Sequence, residues 1–423
     1  MALKRSVGVV AALLLLGRAT GFGREWMLSA RGGATCSTDL AIVLFTLPDL
    51  LVNVLLAGGL GATLVPVLQA LPIAKRRQLA SQVALAVGAG FSLLALLLVL
   101  LAPQVLALLA PGVSAMQRAA AAQPMALTAL AVPLTALAGV STALLNASGH
   151  FALGACGTAV FNLLVIAVLA TRLPLLWAMA VGVVAGALLR WLVQSLGASR
   201  AQPVAPWRGP WLVDRQLLLR FGGNFGFASA LVLLPPIARA WASLSDPGAL
   251  SLFNYAGKLV ELPLGVLMGA LSAVLLPHFA SNPVPSQIRR ALRLTAISAV
   301  AIAVPALLLA TPLVRLVYFK ADFSPLQLQE LGRTTAWAFA FLLPQALVSL
   351  HGTVFAALGR TRPLLLTGVL MLLLELLLAP LGHHIGGLVG VMVANGFVYV
   401  LATGLLGWML QRELAGRIVL HPE

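Results

Sequence analysis

Charge is scarce in this sequence. Asp, Glu, Lys and Arg make up 9% of its 423 residues, against about a quarter in soluble domains. Acids are scarcer still, 11 against 27 Lys and Arg. So few charges cannot cover the surface of a water-soluble fold of this length, and that class is excluded. Cysteine is nearly absent. Cys36 and Cys156 are too few for a disulfide framework, and both sit in apolar or Gly/Ala-rich surroundings where a thiol packs as a small group. The glycine-rich loop that cradles a nucleotide phosphate is missing, so the chain is not an ATP-driven pump by itself. No helix-spaced metal motif and no nucleophile constellation occurs; no cofactor, metal or catalytic residue is expected, and the chain is not read as an enzyme. No basic stripe or aromatic platform is present, which excludes nucleic acid as a partner.

What is there is apolar. Hydrophobic residues make up 61%, and the mean hydropathy is +1.02. A hydrocarbon core takes about 20 apolar residues to cross. Runs of that kind recur twelve times, at roughly 6–29, 39–70, 79–103, 124–147, 152–170, 175–197, 219–241, 251–279, 291–313, 333–357, 363–380 and 386–410. The expected fold is an all-α polytopic membrane protein of about twelve transmembrane helices. Lys4 and Arg5 before the first run resemble a secretory signal, but no small-residue cleavage site follows. An uncleaved first helix is expected.

The net charge of +16 reads as topology. With the amino terminus inside, the cytoplasmic connections hold sixteen Lys and Arg, including Lys75, Arg76, Arg77, Arg289, Arg290 and Arg293; the outer ones hold six. Positive residues stay inside, so both termini are expected in the cytoplasm. The Pro-rich stretch SRAQPVAPWRGPW then belongs to an inner linker. This divides the chain into a six-helix lobe at 1–200, a linker at 201–218 and a second six-helix lobe at 219–423. The halves echo one another. LPDLLVNVLLAGGLGATLVPVLQ (47–69) and KLVELPLGVLMGALSAVLLPHFA (258–280) each open polar, run through a Gly/Ala-rich middle and exit at a proline, Pro66 or Pro277. Internal repeats of this kind place a transport site between two lobes.

Some charges fall inside spans, where each costs several kcal/mol unless it meets water or a partner. Arg190 and Arg239 lie near span ends and are expected to reach the interface along their own stems. Arg18, Arg24 and Glu25 do not. Arg18 and Glu25 are seven residues apart and share a helix face, and Gly17, Gly21 and Gly23 can bend the helix between them. Asp39 and Asp49 come from the second span; Lys258 and Glu261, three apart, share a face of the eighth. These groups are the candidate substrate site: a basic, acid-bordered cavity suits a phosphate or pyrophosphate, because arginine offers a planar fork of donors. The alternative is that they only pair with each other to hold spans together. Glu375 stands alone in an apolar run and is the candidate for ion coupling. Asn146, Asn162, Asn224, Asn254 and Asn395 read as interhelical hydrogen-bond partners. His383 and His384, adjacent in an outer loop, do not make a metal site.

Three ordered stretches resemble a known family. GRATGFGREWMLSARGGATCSTDLAIVLFTLPDLLVNVLLAGGLGATLVPVL is similar to the amino-terminal signature of the MurJ (MviN) family of lipid II flippases. FNYAGKLVELPLGVLMGALSAVLLPHFA and RLVYFKADFSPLQLQ resemble its later blocks. The resemblance implies membership of the multidrug/oligosaccharidyl-lipid/polysaccharide exporter superfamily, with a MATE-like pair of six-helix lobes that alternate between inward- and outward-open states. It implies a bacterial inner-membrane flippase for an undecaprenyl-pyrophosphate-linked saccharide, either lipid II or a related polysaccharide precursor. Its partners are then that lipid-linked oligosaccharide and membrane lipids. Carried over by position, the binding residues are Arg18, Arg24, Glu25, Asp39, Lys258 and Glu261. The chain departs from the family at Val52 and Asn53, where a double arginine is usual, at Ala57 in place of Glu, and at Asp49 in place of Asn. It also reads as about twelve spans where family members often have fourteen. Two other readings compete: a cation-coupled small-molecule exporter, and a non-transporting scaffold whose partners are envelope-synthesis enzymes.

Overall fold

The computed structural model describes residues 2–54, 60–201, 210–213, 226–281 and 284–420. Every regular element among them is an α-helix. The described residues fall into two compact units. Unit 1 is Met1–Val232 with Lys320–Asp322, and unit 2 is Leu233–Phe319 with Phe323–Glu423. Most of the expected linker, at 202–209 and 214–218, lies outside the described residues, as do Ala57 and Asn224.

Unit 1 contains α1 (Ala2–Gly32), α2 (Cys36–Val54), α3 (Leu60–Ala70), α4 (Ile73–Leu100), α5 (Ala102–Leu109), α6 (Ala115–Ala129), α7 (Ala131–Ala147), α8 (Phe151–Ala155), α9 (Gly157–Leu169) and α10 (Leu175–Ala201). The chain then enters α11 (Gly226–Ala242), inside which the units divide. The helices of unit 1 are drawn together by small residues. A Cβ on Gly182 would stand 3.2 Å from Val165 Cα, and one on Gly186 would stand 2.9 Å from the Phe161 carbonyl oxygen. The bare backbone of α10 therefore lies directly on α9. The same device sets α1 against α9. Cβ atoms on Gly17 and Gly21 would stand 3.3 Å from Thr158 and 3.4 Å from Asn162. α1 runs as one helix through both glycines, whose missing side chains admit the neighbouring helix.

Unit 2 contains α12 (Ala249–Ser281), α13 (Pro285–Leu308), α14 (Ala310–Val317), α15 (Pro325–Ala340), α16 (Leu342–Ala357) and α17 (Thr361–Leu420). Local signals place its ends. Ser324 caps α15 by accepting from the Gln327 amide while the Gln327 side chain accepts from the Ser324 amide, and Pro325 fills the first helical position, where no amide is needed. α17 folds back on itself at Gly386 and Gly387. Gly387 has φ +54° and ψ −134°, a conformation closed to residues with a Cβ. Its two arms return side by side, with the backbones of Gly382 and Gly390 in contact.

Each of the twelve apolar segments read from the sequence overlaps a described helix, a helix pair or an arm of α17, with 55–59 of the second and 219–225 of the seventh outside the described residues. Six helices among the described residues are long and apolar enough to cross a membrane unaided, and a seventh is added if α15 and α16, bent by 42°, count as one. α17 counts once in that number although it is two arms. The outer faces are apolar. Leu93, Leu96, Leu97 and Leu100 of α4, and Leu373, Leu376 and Leu377 of α17, are exposed. That is the pattern of helices solvated by lipid, and the chain is a multi-pass membrane protein.

Candidate functional site

The densest buried charge of unit 1 lies on α1. Arg24 is 4% exposed and Glu25 3%. Arg24 Nη2 donates to Glu25 Oε1 at 2.5 Å, and Nη1 donates to Asn162 Oδ1 of α9 at 2.8 Å. The guanidinium carbon stands 3.5 Å from the centre of the Phe45 ring on α2, and that ring lies 5.9 Å from Phe161. Asn162 in turn donates to the Gly17 carbonyl at 3.3 Å. One guanidinium thus joins three helices through a carboxylate, an amide and an aromatic face. Charge-assisted bonds of this kind are short and strong when water is excluded.

The other candidates of unit 1 are arranged differently. Arg18, on the same helix, is exposed and makes no hydrogen bond or ion pair among the described residues. Asp39 is 1% exposed in the first turn of α2, where the helix dipole favours a negative charge. Asp49 is half-buried near the other end of α2. The backbone at Val52 and Asn53 is helical; their side chains are not described.

In unit 2, Lys258 Nζ donates to Glu261 Oε2 at 2.6 Å, with side chains 21% and 53% exposed. The spacing of three residues on α12 brings them together, as the sequence implied. Glu375 is fully buried on the first arm of α17. Asn395, on the second arm, donates to its Oε2 at 3.1 Å, while its Oε1 has no partner among the described residues. No cluster of three His, Cys, Asp or Glu residues that could hold a metal occurs among the described residues.

Of the asparagines read as interhelical partners, Asn162, Asn254 and Asn395 each bond a charged side chain, the second accepting from Arg239 at 3.1 Å, whereas the Asn146 side chain makes no hydrogen bond among the described residues. Arg190 overturns the sequence expectation. It is 2% exposed, because α10 presents it to the α8–α9 junction and not to the membrane surface. Phe45 had no sequence signal at all, since one aromatic in an apolar helix says nothing about which cation it will meet.

Residues 29–421 match the family described as Lipid II flippase MurJ. The chain belongs to the MurJ family. The match begins beyond Glu25, so Arg18, Arg24 and Glu25 lie outside it. The protein named "Lipid II flippase MurJ" from Burkholderia cenocepacia is 28% identical over 301 residues, which cover 66% of this chain and 57% of that one. The chain thus spans less than two thirds of that relative. The "Probable lipid II flippase MurJ" of Vibrio cholerae is 23% identical over 426 residues, covering 94% and 81%. Among solved structures, "Lipid II flippase MurJ, inward closed conformation" superposes with a TM-score of 0.86 at 17% identity, covering 95% of this chain and 87% of the other. The Vibrio cholerae MATE transporter VcmN in its bent form gives 0.68 at 18% identity, covering 99% and 98%. At these identities the structures show the fold: a MurJ-type member of the MATE-like architecture.

Proposed function

We propose that this chain is a flippase. It translocates an undecaprenyl-pyrophosphate-linked saccharide, lipid II or a related polysaccharide precursor, across the bacterial inner membrane by alternating access, with both its termini in the cytoplasm. The match to the MurJ family over residues 29–421 is the observation that carries this reading. Its chemistry is anion recognition. A diphosphate entering a low-dielectric chamber needs fixed donors, and arginine supplies them in pairs. Arg18, Arg24, Glu25 and Asp39 are the residues assigned to that role in unit 1, and Lys258 and Glu261 in unit 2.

Arg24 is already bonded to Glu25 and Asn162, so binding exchanges the carboxylate for phosphate oxygens. Glu25 then serves as the counter-charge that keeps the site stable while empty. Arg18, exposed and without an ion pair among the described residues, needs no such exchange and is the group that meets the diphosphate first.

The test is replacement of the resident flippase in cells depleted of it. Expression of this chain restores growth, and Arg18→Ala and Arg24→Ala each abolish the rescue. Failure of the parent chain to rescue and to bind lipid-linked precursor sinks the reading; rescue by both alanine variants sinks the pyrophosphate role alone.

A second reading has its own observation. Glu375 is buried with one oxygen unpartnered, and the fold is shared with a MATE transporter. In the flippase reading Glu375 is the ion-coupling group. In a cation-coupled exporter it is the essential residue, and the arginines are dispensable. Glu375→Gln separates the two when drug susceptibility and growth rescue are scored on the same variants.

A further inference from the structure

Arg190 is a buried cation with no anionic partner among the described residues. It lies on α10, 2% exposed. Its Nε is sealed without a hydrogen-bond partner, and no hydrogen bond or ion pair is made by its terminal nitrogens among the described residues. No carboxylate among the described residues faces it; the titratable group beside it is the Cys156 thiol, which donates instead to the Leu153 carbonyl at 3.3 Å. One turn along α10, Gln194 is fully buried. Its Nε2 donates to the Gly154 carbonyl at 3.1 Å, and its Oε1 has no partner. Between them sits Gly157, where an added Cβ would collide with the Gln194 amide and stand 3.1 Å from Arg190 Nε.

A fully formed charge in an apolar bundle costs several kcal/mol unless it is neutralised. Arg24, also buried in unit 1, is met by a carboxylate, an amide and a ring. Arg190 receives none of the three. The unused donors of Arg190 and the unused acceptor of Gln194, both packed against the bare backbone of Gly157, point to one kind of occupant.

We propose that Arg190 binds a small inorganic anion of the halide class, accompanied by one water molecule. The anion accepts from the guanidinium. The water donates one hydrogen to Gln194 Oε1 and the other to the anion, so every sealed polar atom of the cluster is satisfied. The site lies within α8, α9 and α10 of unit 1. It neutralises the charge that would otherwise oppose the close packing of α10 on α9.

The full-length protein in detergent tests this, with bromide as the probe. Its melting temperature is measured in sodium bromide against sodium gluconate at equal ionic strength. A ligand that binds only the folded state raises the midpoint and saturates; a rise of about 2 °C is expected for a chain of this size. Arg190→Met removes the bromide dependence, and Cys156→Ser retains it. If Arg190→Met does not fold, crystals of the parent protein grown in bromide show an anomalous peak within contact of the guanidinium. An unsaturable rise means a bulk salt effect and overturns the proposal. So does a parent protein indifferent to bromide, a bromide response that persists in Arg190→Met, or loss of the response in Cys156→Ser, which would assign the counter-charge to the thiol.

Discussion

Two ion pairs of similar chemistry stand in opposite surroundings. Arg24–Glu25 in unit 1 is nearly sealed, with side chains 5% and 4% exposed. Lys258–Glu261 in unit 2 leaves its acid 53% exposed. Their bond lengths are almost the same, 2.5 and 2.6 Å. Distance therefore says little about what either pair contributes; burial decides. The sealed pair has lost its water and depends on each partner. The open pair keeps a solvated alternative for both groups. In unit 1 the surroundings have also been built to match: Asn162 takes the second guanidinium arm and Phe45 covers its face. Nothing equivalent is needed around a carboxylate that water can still reach.

The comparison breaks most visibly at Glu25. Glu25→Ala leaves Arg24 buried beside an amide and a ring alone, and a loss of about 3–5 kcal/mol in folding stability is expected. Thermal and denaturant unfolding in detergent measures it. Next comes Asn162→Leu, which removes the charge-assisted bond between α1 and α9 and the bond to the Gly17 carbonyl; about 2 kcal/mol is expected by the same measurement. Phe45→Leu keeps the apolar volume near its value but removes the ring face, and about 1 kcal/mol is expected. In unit 2, Glu261→Gln changes stability by less than about 1 kcal/mol, because an exposed pair is screened and its members re-solvate. A loss at Glu261 equal to that at Glu25 would overturn the claim that burial, not bond length, sets the contribution.

Much of this architecture could be read in advance. The positions of the twelve apolar segments follow from how many apolar residues a bilayer core requires, whereas the cap at Ser324 and the fold of α17 at Gly386 and Gly387 came from the structure. Asparagines in apolar runs signalled interhelical bonds because a lone amide in lipid has no other partner. Other features needed the neighbouring helices. Gly17, Gly21 and Gly23 were read as places where α1 can bend; the structure shows Gly17 and Gly21 seating α9, and a glycine permits either role. Arg190 was expected at the membrane surface, since its place in the run is near an end. Depth along a helix does not reveal which face a residue occupies, and α10 turns that face inward.

By itself, then, the sequence determined the class of solvent this protein lives in, the number and order of its apolar segments, and which few polar residues would have to find partners. Those are properties of composition and of spacing along one chain. The tertiary structure alone decided who the partners are: that Arg24 meets Asn162 and Phe45 from two other helices, that Glu375 meets Asn395 across the fold of α17, and that Arg190 meets no carboxylate. Pairing between helices depends on their rotation and approach, which are set by the summed fit of many small side chains and are written in no single stretch of residues.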